Sequence, residues 1–519
     1  MEIHLRKDNL GLAAKGLSAA KYTIIYRIAI QGMNVLVIVF IVRLLSAHDY
    51  GIYNLLYSII AMMSVVFSFG IGNTLQRFMP EYYSRGEYVI AHRLYRISAV
   101  IRLISNVAVL ICVLQFWDLF SFYFKLNGYR TYFFFFCIII LLHLQKGILE
   151  TCLNSYFLQK YTQLMAAMFT VARGLGYGAG LLLSWNLWHI LVVDLIAYVI
   201  TFFVLEIIYA RKIPKTGGSF TKFPAIEKKR LRRYSFFYNF NDAGVGLLQS
   251  DFDNFFLAMF MDPAAVGAYA FCNRIIKMSG QLSPVLYLQQ VIQPIFFSRN
   301  GEETEKFDSF QIVLKFVYLF QIPIFCMFFL FSREIIQVFF DGKYIEYSSV
   351  LMLVSLFFLL NSIDFPTGLL AQLHEHADIL LYSKCFALYN VLADIILIKY
   401  FGVFGAVIAT GTATLGKNLF VLYFVRKHTS CHGLPTFFSR LIGYWACVTF
   451  FIVITVKSFF IGPLYILFFG CSILAGCFWM QFRYVYLNGK EKFFLRSLES
   501  KNRKVSKIFY WSGLAYAMR

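Results

Sequence analysis

Arg211-Lys212-Ile213-Pro214-Lys215-Thr216-Gly217-Gly218-Ser219, running on through Lys228-Lys229-Arg230-Leu231-Arg232-Arg233, is the one long basic interior stretch that also carries proline and glycine. On both sides of it the sequence is apolar. Hydrophobic residues make up 59% of the 519, aromatics 19% and charged residues only 14%. A soluble chain carries about a quarter charged residues, so this one cannot cover its exterior with polar groups and reads as an integral membrane protein. The same composition excludes a disordered chain, a coiled coil and a disulfide scaffold. The ten cysteines have no framework spacing, and most lie within apolar runs as small packing residues.

A helix needs about 20 apolar residues to cross a bilayer. Fourteen segments meet that length, from about 22–44 to about 461–482. Six precede the basic stretch, six lie between it and residue 425, and two follow. The predicted fold is therefore all-α: two six-helix bundles plus two C-terminal helices. The expected divisions are 1–210, a basic cytoplasmic linker at 211–234, a second bundle at 235–425, and two extra helices with a basic tail at 426–519. The first 21 residues are polar and basic, and the segment after them is too long and too polar for a removable signal peptide.

The charge distribution gives an orientation. Nine Lys/Arg lie between Arg211 and Arg233 and nine more between Arg483 and Arg519, whereas one set of alternate loops holds only Lys125, Arg130, Arg333, Lys343, Lys399 and Lys457. Basic residues concentrate on the cytoplasmic side of membrane proteins, so both termini are expected there. The net charge of +21 is thus topological, and a nucleic-acid partner is not expected.

The two groups of six spans also resemble each other. Asp49-Tyr50-Gly51-Ile52-Tyr53 matches Ala265-Val266-Gly267-Ala268-Tyr269 at an offset of about 216, and Ser84-Arg85-Gly86-Glu87 matches Ser298-Arg299-Asn300-Gly301-Glu302. Shared spacing of this kind marks duplication. An even number of spans per copy brings both in from the same side, related by a pseudo-twofold along the membrane normal.

Ionisable and amide groups inside spans are costly and mark cavities or partners. Thr23, Arg27, Gln31 and Asn34 recur at spacings of 4, 4 and 3 on the first span, which puts them on one helix face. Its repeat counterpart, expected as a single span over about 235–260, carries Asn239, Asp242, Gly246, Gln249 and Asp253. The next span adds Asn273, Arg274, Lys277 and Gln281; Arg173 lies in span 5, and Asn390 and Asp394 in span 11. Two polar stripes on corresponding helices imply a wet, partly cationic cavity, although buried pairing such as Arg27 with Asp253 is the competing arrangement. Guanidinium and ammonium groups there suit a phosphate-bearing anion.

Three patterns carry less. Gly411 through Asn418 nearly spells a phosphate loop, but Asn418 stands where Ser or Thr should hold the metal and no strand precedes it. Asp251 and Asp253 are two residues apart and point away from each other on a helix. His374-Glu375-His376 lacks further ligands nearby. No metal or cofactor is expected, with H+ or Na+ as coupling ion at Asp253 and Asp394.

Val42-Arg43-Leu44-Leu45-Ser46-Ala47-His48-Asp49-Tyr50-Gly51-Ile52-Tyr53 and Phe69-Gly70-Ile71-Gly72-Asn73-Thr74-Leu75-Gln76-Arg77-Phe78 resemble the opening of the bacterial polysaccharide-transport, or oligosaccharide flippase, proteins. These belong to the multidrug/oligosaccharidyl-lipid/polysaccharide exporter superfamily. Gln249 through Asp253, Asp262 through Tyr269 and Lys399 through Thr410 are similar to the same family, so the resemblance spans about 22–425. It implies a V-shaped pair of bundles in the bacterial inner membrane, working by alternating access. The implied cargo is an undecaprenyl-pyrophosphate-linked oligosaccharide, turned to the outer leaflet for O-antigen, capsule or exopolysaccharide. Polysaccharide polymerase and glycosyltransferases are the implied partners. Arg27, Arg274 and Lys277 would engage the pyrophosphate, and Gln31, Asn34, Asn239 and Gln249 the sugars. A multidrug or cation antiporter and a peptidoglycan-precursor flippase remain alternatives; in the latter, a paired Arg–Asp usually opens the first helix, whereas Ile28 follows Arg27 here. An enzyme would need a large outer loop, and those at 118–131 and 333–346 are short.

Overall fold

The computed structural model describes residues 26, 29–156, 158–213, 225–282, 303–373, 379, 382–426, 434–460 and 462–484. These residues pack as two compact units. One holds the described residues up to Ala270 together with Asn390–Ala406, and the other those of Phe271–Tyr389 and from Val407 onward. Among the described residues nine helices are long and apolar enough to cross a membrane.

The first unit begins with α1 (Ala29–Leu44) and α2 (Ala47–Val66), α3 (Ile71–Ser84), α4 (Tyr88–Gln115), α5 (Trp117–Phe124), α6 (Arg130–Ser155), α7 (Gln159–Leu183) and α8 (Leu187–Lys212). It continues with α9 (Ala225–Gly246), α10 (Ser250–Phe260) and the start of α11 (Pro263–Leu282). Ser46 caps α2 through Asp49 N at 3.0 Å. Asp262, at the repeat-equivalent position, caps α11 through Ala265 N at 2.7 Å. The duplicated motifs therefore open two helices in the same way. The two openings also touch: a Cβ on Gly51 would lie 1.6 Å from the Pro263 carbonyl oxygen and 3.2 Å from Gly267 N.

α3 is a helix that is not among the fourteen expected spans. Ile71, Leu75, Phe78, Met79 and Tyr82 recur at helical spacing on α3 and pack into a core with Leu94 and Tyr95 of α4, Leu149 and Cys152 of α6, and Leu205 and Tyr209 of α8. Burying an aliphatic or aromatic side chain of this kind contributes about 1.5–3 kcal/mol. The turn before α3 needs Gly70, whose φ is +61° and whose absent Cβ leaves room for the Ser235 carbonyl.

The basic stretch is also partly helical, because α9 starts at Ala225. Leu231 and Tyr234 of α9 pack on the α3 core, with the Tyr234 ring edge-on to Phe78. Arg230 grips Glu81 of α3 in a fork, with both N–O distances 3.1 Å. Arg77 at 3.1 Å and Arg85 at 2.8 Å complete the cluster around that carboxylate. The Arg230 hydrogen bond and the three positive charges hold Glu81 below the usual carboxylate range, against the opposing effect of burial.

The second unit is organised around α12 (Glu303–Phe340), with α13 (Ser348–Leu360), α14 (Asp364–Leu373), α15 (Cys385–Phe401, shared with the first unit), α16 (Val403–Arg426, likewise shared), α17 (Leu434–Phe459) and α18 (Pro463–Tyr484). Pro323 lies inside α12 and has no N–H, so the Leu319 carbonyl one turn earlier loses its helical donor. Gln481 of α18 supplies the replacement at 3.2 Å, and Trp445 Nε1 of α17 holds the Gln481 oxygen at 3.1 Å. The two C-terminal helices thus repair a defect in α12. In α16, Gly411 closes against the Phe357 ring and Gly416 against Phe386, a close helix contact. His374, Glu375 and His376 lie outside the described residues.

Candidate functional site

The stripe expected along one continuous span at 235–260 is interrupted. α9 ends at Gly246 and α10 starts at Ser250, with Gln249 extended at φ −94°, ψ 142°. Glycine is a weak helix former, and Gly246 lies so close to Val65 that a Cβ would sit 2.5 Å from its side chain.

The break has a chemical consequence. It exposes the Leu247 carbonyl, which accepts from Asn390 Nδ2 at 3.0 Å. The same amide nitrogen approaches Asp253 Oδ1 at 3.4 Å and Asp394 Oδ2 at 3.3 Å. Tyr269 donates to the other Asp253 oxygen, and Asn390 Nδ2 thus links the two carboxyls. Asp253, Asn390 and Asp394 have no solvent exposure at all. Asn390 Oδ1 and Asp394 Oδ1 are buried oxygens with no hydrogen-bond partner among the described residues. Sequence spacing singled out both carboxylates and Asn390, and the fold brings them together.

Asp251 instead lines a shallow open cleft at the break, together with Gln249, Ser58, Met62, Val65 and Phe252. The two aspartates of Asp251-Phe252-Asp253 therefore diverge, as their helical spacing requires.

The first half carries a different polar centre, where Arg173 Nε meets Asp194 Oδ1 at 2.8 Å. Tyr53, Tyr57 and Tyr177 donate to the Asp194 carboxylate at 3.0, 2.7 and 2.6 Å. Arg173 Nη2 in turn reaches the Tyr177 hydroxyl at 2.8 Å and the Tyr53 hydroxyl. Tyr53 and Tyr269, the matched tyrosines of the repeat, thus each serve a buried aspartate, a closed ion pair in one case and an acidic pair in the other. Asp194 was not singled out from the sequence, since it stands alone in an apolar run with its partner 21 residues earlier.

The other expected residues that the structure describes lie on α1, α9 and α11. Arg27 lies outside the described residues. Gln31 is buried on α1 with Oε1 unpartnered, and Asn34 is half-buried. Asn239 accepts from Ser68 at 3.0 Å and so joins α9 to the α2–α3 turn. Arg274 is half-buried and Lys277 exposed, both on the part of α11 that belongs to the second unit.

A family model described as polysaccharide biosynthesis protein matches residues 19–300. No curated protein matches the chain. Among solved structures, the lipid II flippase MurJ in an inward closed conformation is similar over 89% of this chain and 97% of its own, with TM-score 0.67 and 15% identity. An inward-facing multidrug resistance MATE family transporter of the MOP superfamily is similar over 78% and 97%, with TM-score 0.59 and 14% identity. A MOP superfamily transporter from Pyrococcus furiosus, noted for a binding pocket of reverse polarity, is similar over 79% and 95%, with TM-score 0.53 and 13% identity. At such identities the likeness is one of fold, and it agrees with the apolar helices in marking a multi-pass membrane protein. With more than half of its residues matched by that one family model, the chain belongs to the polysaccharide biosynthesis protein family and carries a MurJ- and MATE-like fold.

Proposed function

We propose that the chain flips a polyprenyl-pyrophosphate-linked oligosaccharide from the cytoplasmic to the outer leaflet of the bacterial inner membrane, with both termini cytoplasmic. The observation that carries this reading is a polysaccharide-family sequence built as a bundle of membrane helices with a transporter fold. The chain moves its cargo and does no chemistry on it, so it acts as a transporter rather than an enzyme. Glycosyltransferases would supply the cargo and a polymerase would consume it.

In this reading Arg27, Arg274 and Lys277 attract the pyrophosphate, because guanidinium and ammonium groups pair with phosphate oxygens. Gln249 at the cleft, with Gln31 and Asn34, offers amide groups to sugar hydroxyls. Asp253 and Asp394 supply the coupling. A carboxyl pair within hydrogen-bond reach can share a proton, and the unpartnered oxygens of Asn390 and Asp394, with the Leu247 carbonyl nearby, form the hard-oxygen set that would equally hold Na+.

That acidic pair also favours the second reading, a cation antiporter. The two separate in a bacterium lacking its own oligosaccharide flippase. Flipping predicts restored surface glycan, lost in Arg274→Ala. Drug resistance without restored glycan, dependent on Asp253, would replace the first reading with the second.

A further inference from the structure

The buried face of α4 carries Ser98, Arg102, Asn106 and Leu110, while Ile97, Ile101, Ile104 and Ile111 of the same helix are exposed. This helix is polar inward and apolar outward. Arg102 is only 8% exposed and Asn106 not at all. Among the described residues the one hydrogen bond of the Arg102 side chain runs from Nη2 to the neutral Ser64 carbonyl at 3.3 Å, and its buried Nε finds no acceptor there. One turn further on, Asn106 has both amide atoms buried and unpartnered.

The surrounding groups are matched. Lys146 pairs with Glu150 at 3.1 Å, Arg173 with Asp194 at 2.8 Å, and His143 Nδ1 meets the Tyr198 hydroxyl at 2.9 Å. Arg102, Lys146 and Arg173 all lie within electrostatic reach of His143, and among the described residues Arg102 alone of the three has no carboxylate within salt-bridge distance. A guanidinium does not deprotonate, and a buried ion without a counter-charge is strongly disfavoured.

We infer that Arg102 and Asn106 form a binding site for one small monovalent anion of chloride size. Residues four apart on a helix have Cβ atoms about 5–6 Å apart, so Arg102 Nε–H and Asn106 Nδ2–H can converge on a single atom between them. The near-complete burial of both residues favours a small ion over a bulky headgroup. This site is independent of the cargo proposed above.

The test is equilibrium binding of radioactive chloride to the purified full chain in zwitterionic nanodiscs, with gluconate as the background anion. Saturable binding near one ion per chain is expected, displaced by bromide but not by inorganic phosphate at the same concentration. Arg102→Gln and Asn106→Leu should each weaken binding at least tenfold, whereas Arg96→Gln, on the exposed face of the same helix, should leave it unchanged. If Arg102→Gln fails to fold, Asn106→Leu carries the test alone. A folded wild type without saturable chloride binding, equal displacement by phosphate, or wild-type binding in Asn106→Leu would each overturn the inference.

Discussion

The Asn390 amide nitrogen lies 3.0 Å from the Leu247 carbonyl oxygen, which ties the helix break to the acidic pair. A continuous helix at 247–249 would keep that carbonyl for its own ladder. Because the ladder is open, one amide can serve a main-chain oxygen and two carboxylates and still present its own oxygen to the cluster. No other uncharged side chain except glutamine carries both a donor and a carbonyl acceptor of this kind.

Asn390→Leu should therefore cost about 1–3 kcal/mol, the penalty for leaving buried polar groups unsatisfied. Thermal unfolding in detergent measures this, and the same variant should lose dependence of transport on the H+ or Na+ gradient.

Gly51→Ala tests the contact between the repeat motifs. A methyl group 1.6 Å from the Pro263 oxygen must push backbone aside, at about 3 kcal/mol, the upper end of ordinary overpacking. Gly72→Ala, where nothing lies within 4 Å, is the control and should be neutral or slightly stabilising in the same melt.

The Arg173–Asp194 pair predicts non-additivity. Arg173→Met leaves the buried Asp194 carboxyl without its counter-charge and should cost about 3–5 kcal/mol. Adding Asp194→Leu removes the stranded charge and should recover a large part of that loss, measured as a double-mutant cycle.

Glu81 gives a pH dependence. Its carboxyl titrates below the ordinary value in the folded chain, so the folded state favours the ionised form. The resulting stability is fully present above the unfolded value near 4.5 and disappears as pH falls through the lower folded value. The unfolding midpoints of wild type and Glu81→Gln should differ modestly at pH 7, because the arginines of the cluster are largely exposed, and converge as pH falls through the lowered folded value.

How much of this could be read in advance depends on whether the signal was local. Membrane helices announce themselves by hydropathy, and the repeat by the offset between Gly51 and Gly267, so both were legible. Asp253, Asn390 and Asp394 stood out because charges and amides inside spans are rare. The break at 247–249 did not, and the contact of Gly246 with Val65 that accompanies it joins residues far apart in sequence. Asp194 and Arg102 carry no such local signal. The partner of Asp194 is on another helix, and Arg102 with Asn106 forms a stripe only two groups long within a strongly apolar span. α3 was hidden because an amphipathic helix in a loop has no spanning hydropathy.

The most direct measurement of the central claim is flipping of a fluorescent polyprenyl-pyrophosphate oligosaccharide by the purified chain in proteoliposomes, compared with Arg274→Ala and with the same lipid bearing a neutral linkage. Protein-dependent flipping that falls at least tenfold in Arg274→Ala and is absent for the neutral lipid is the expected result. Equal flipping of charged and neutral lipids, or no loss in Arg274→Ala, would contradict a cationic path for the pyrophosphate.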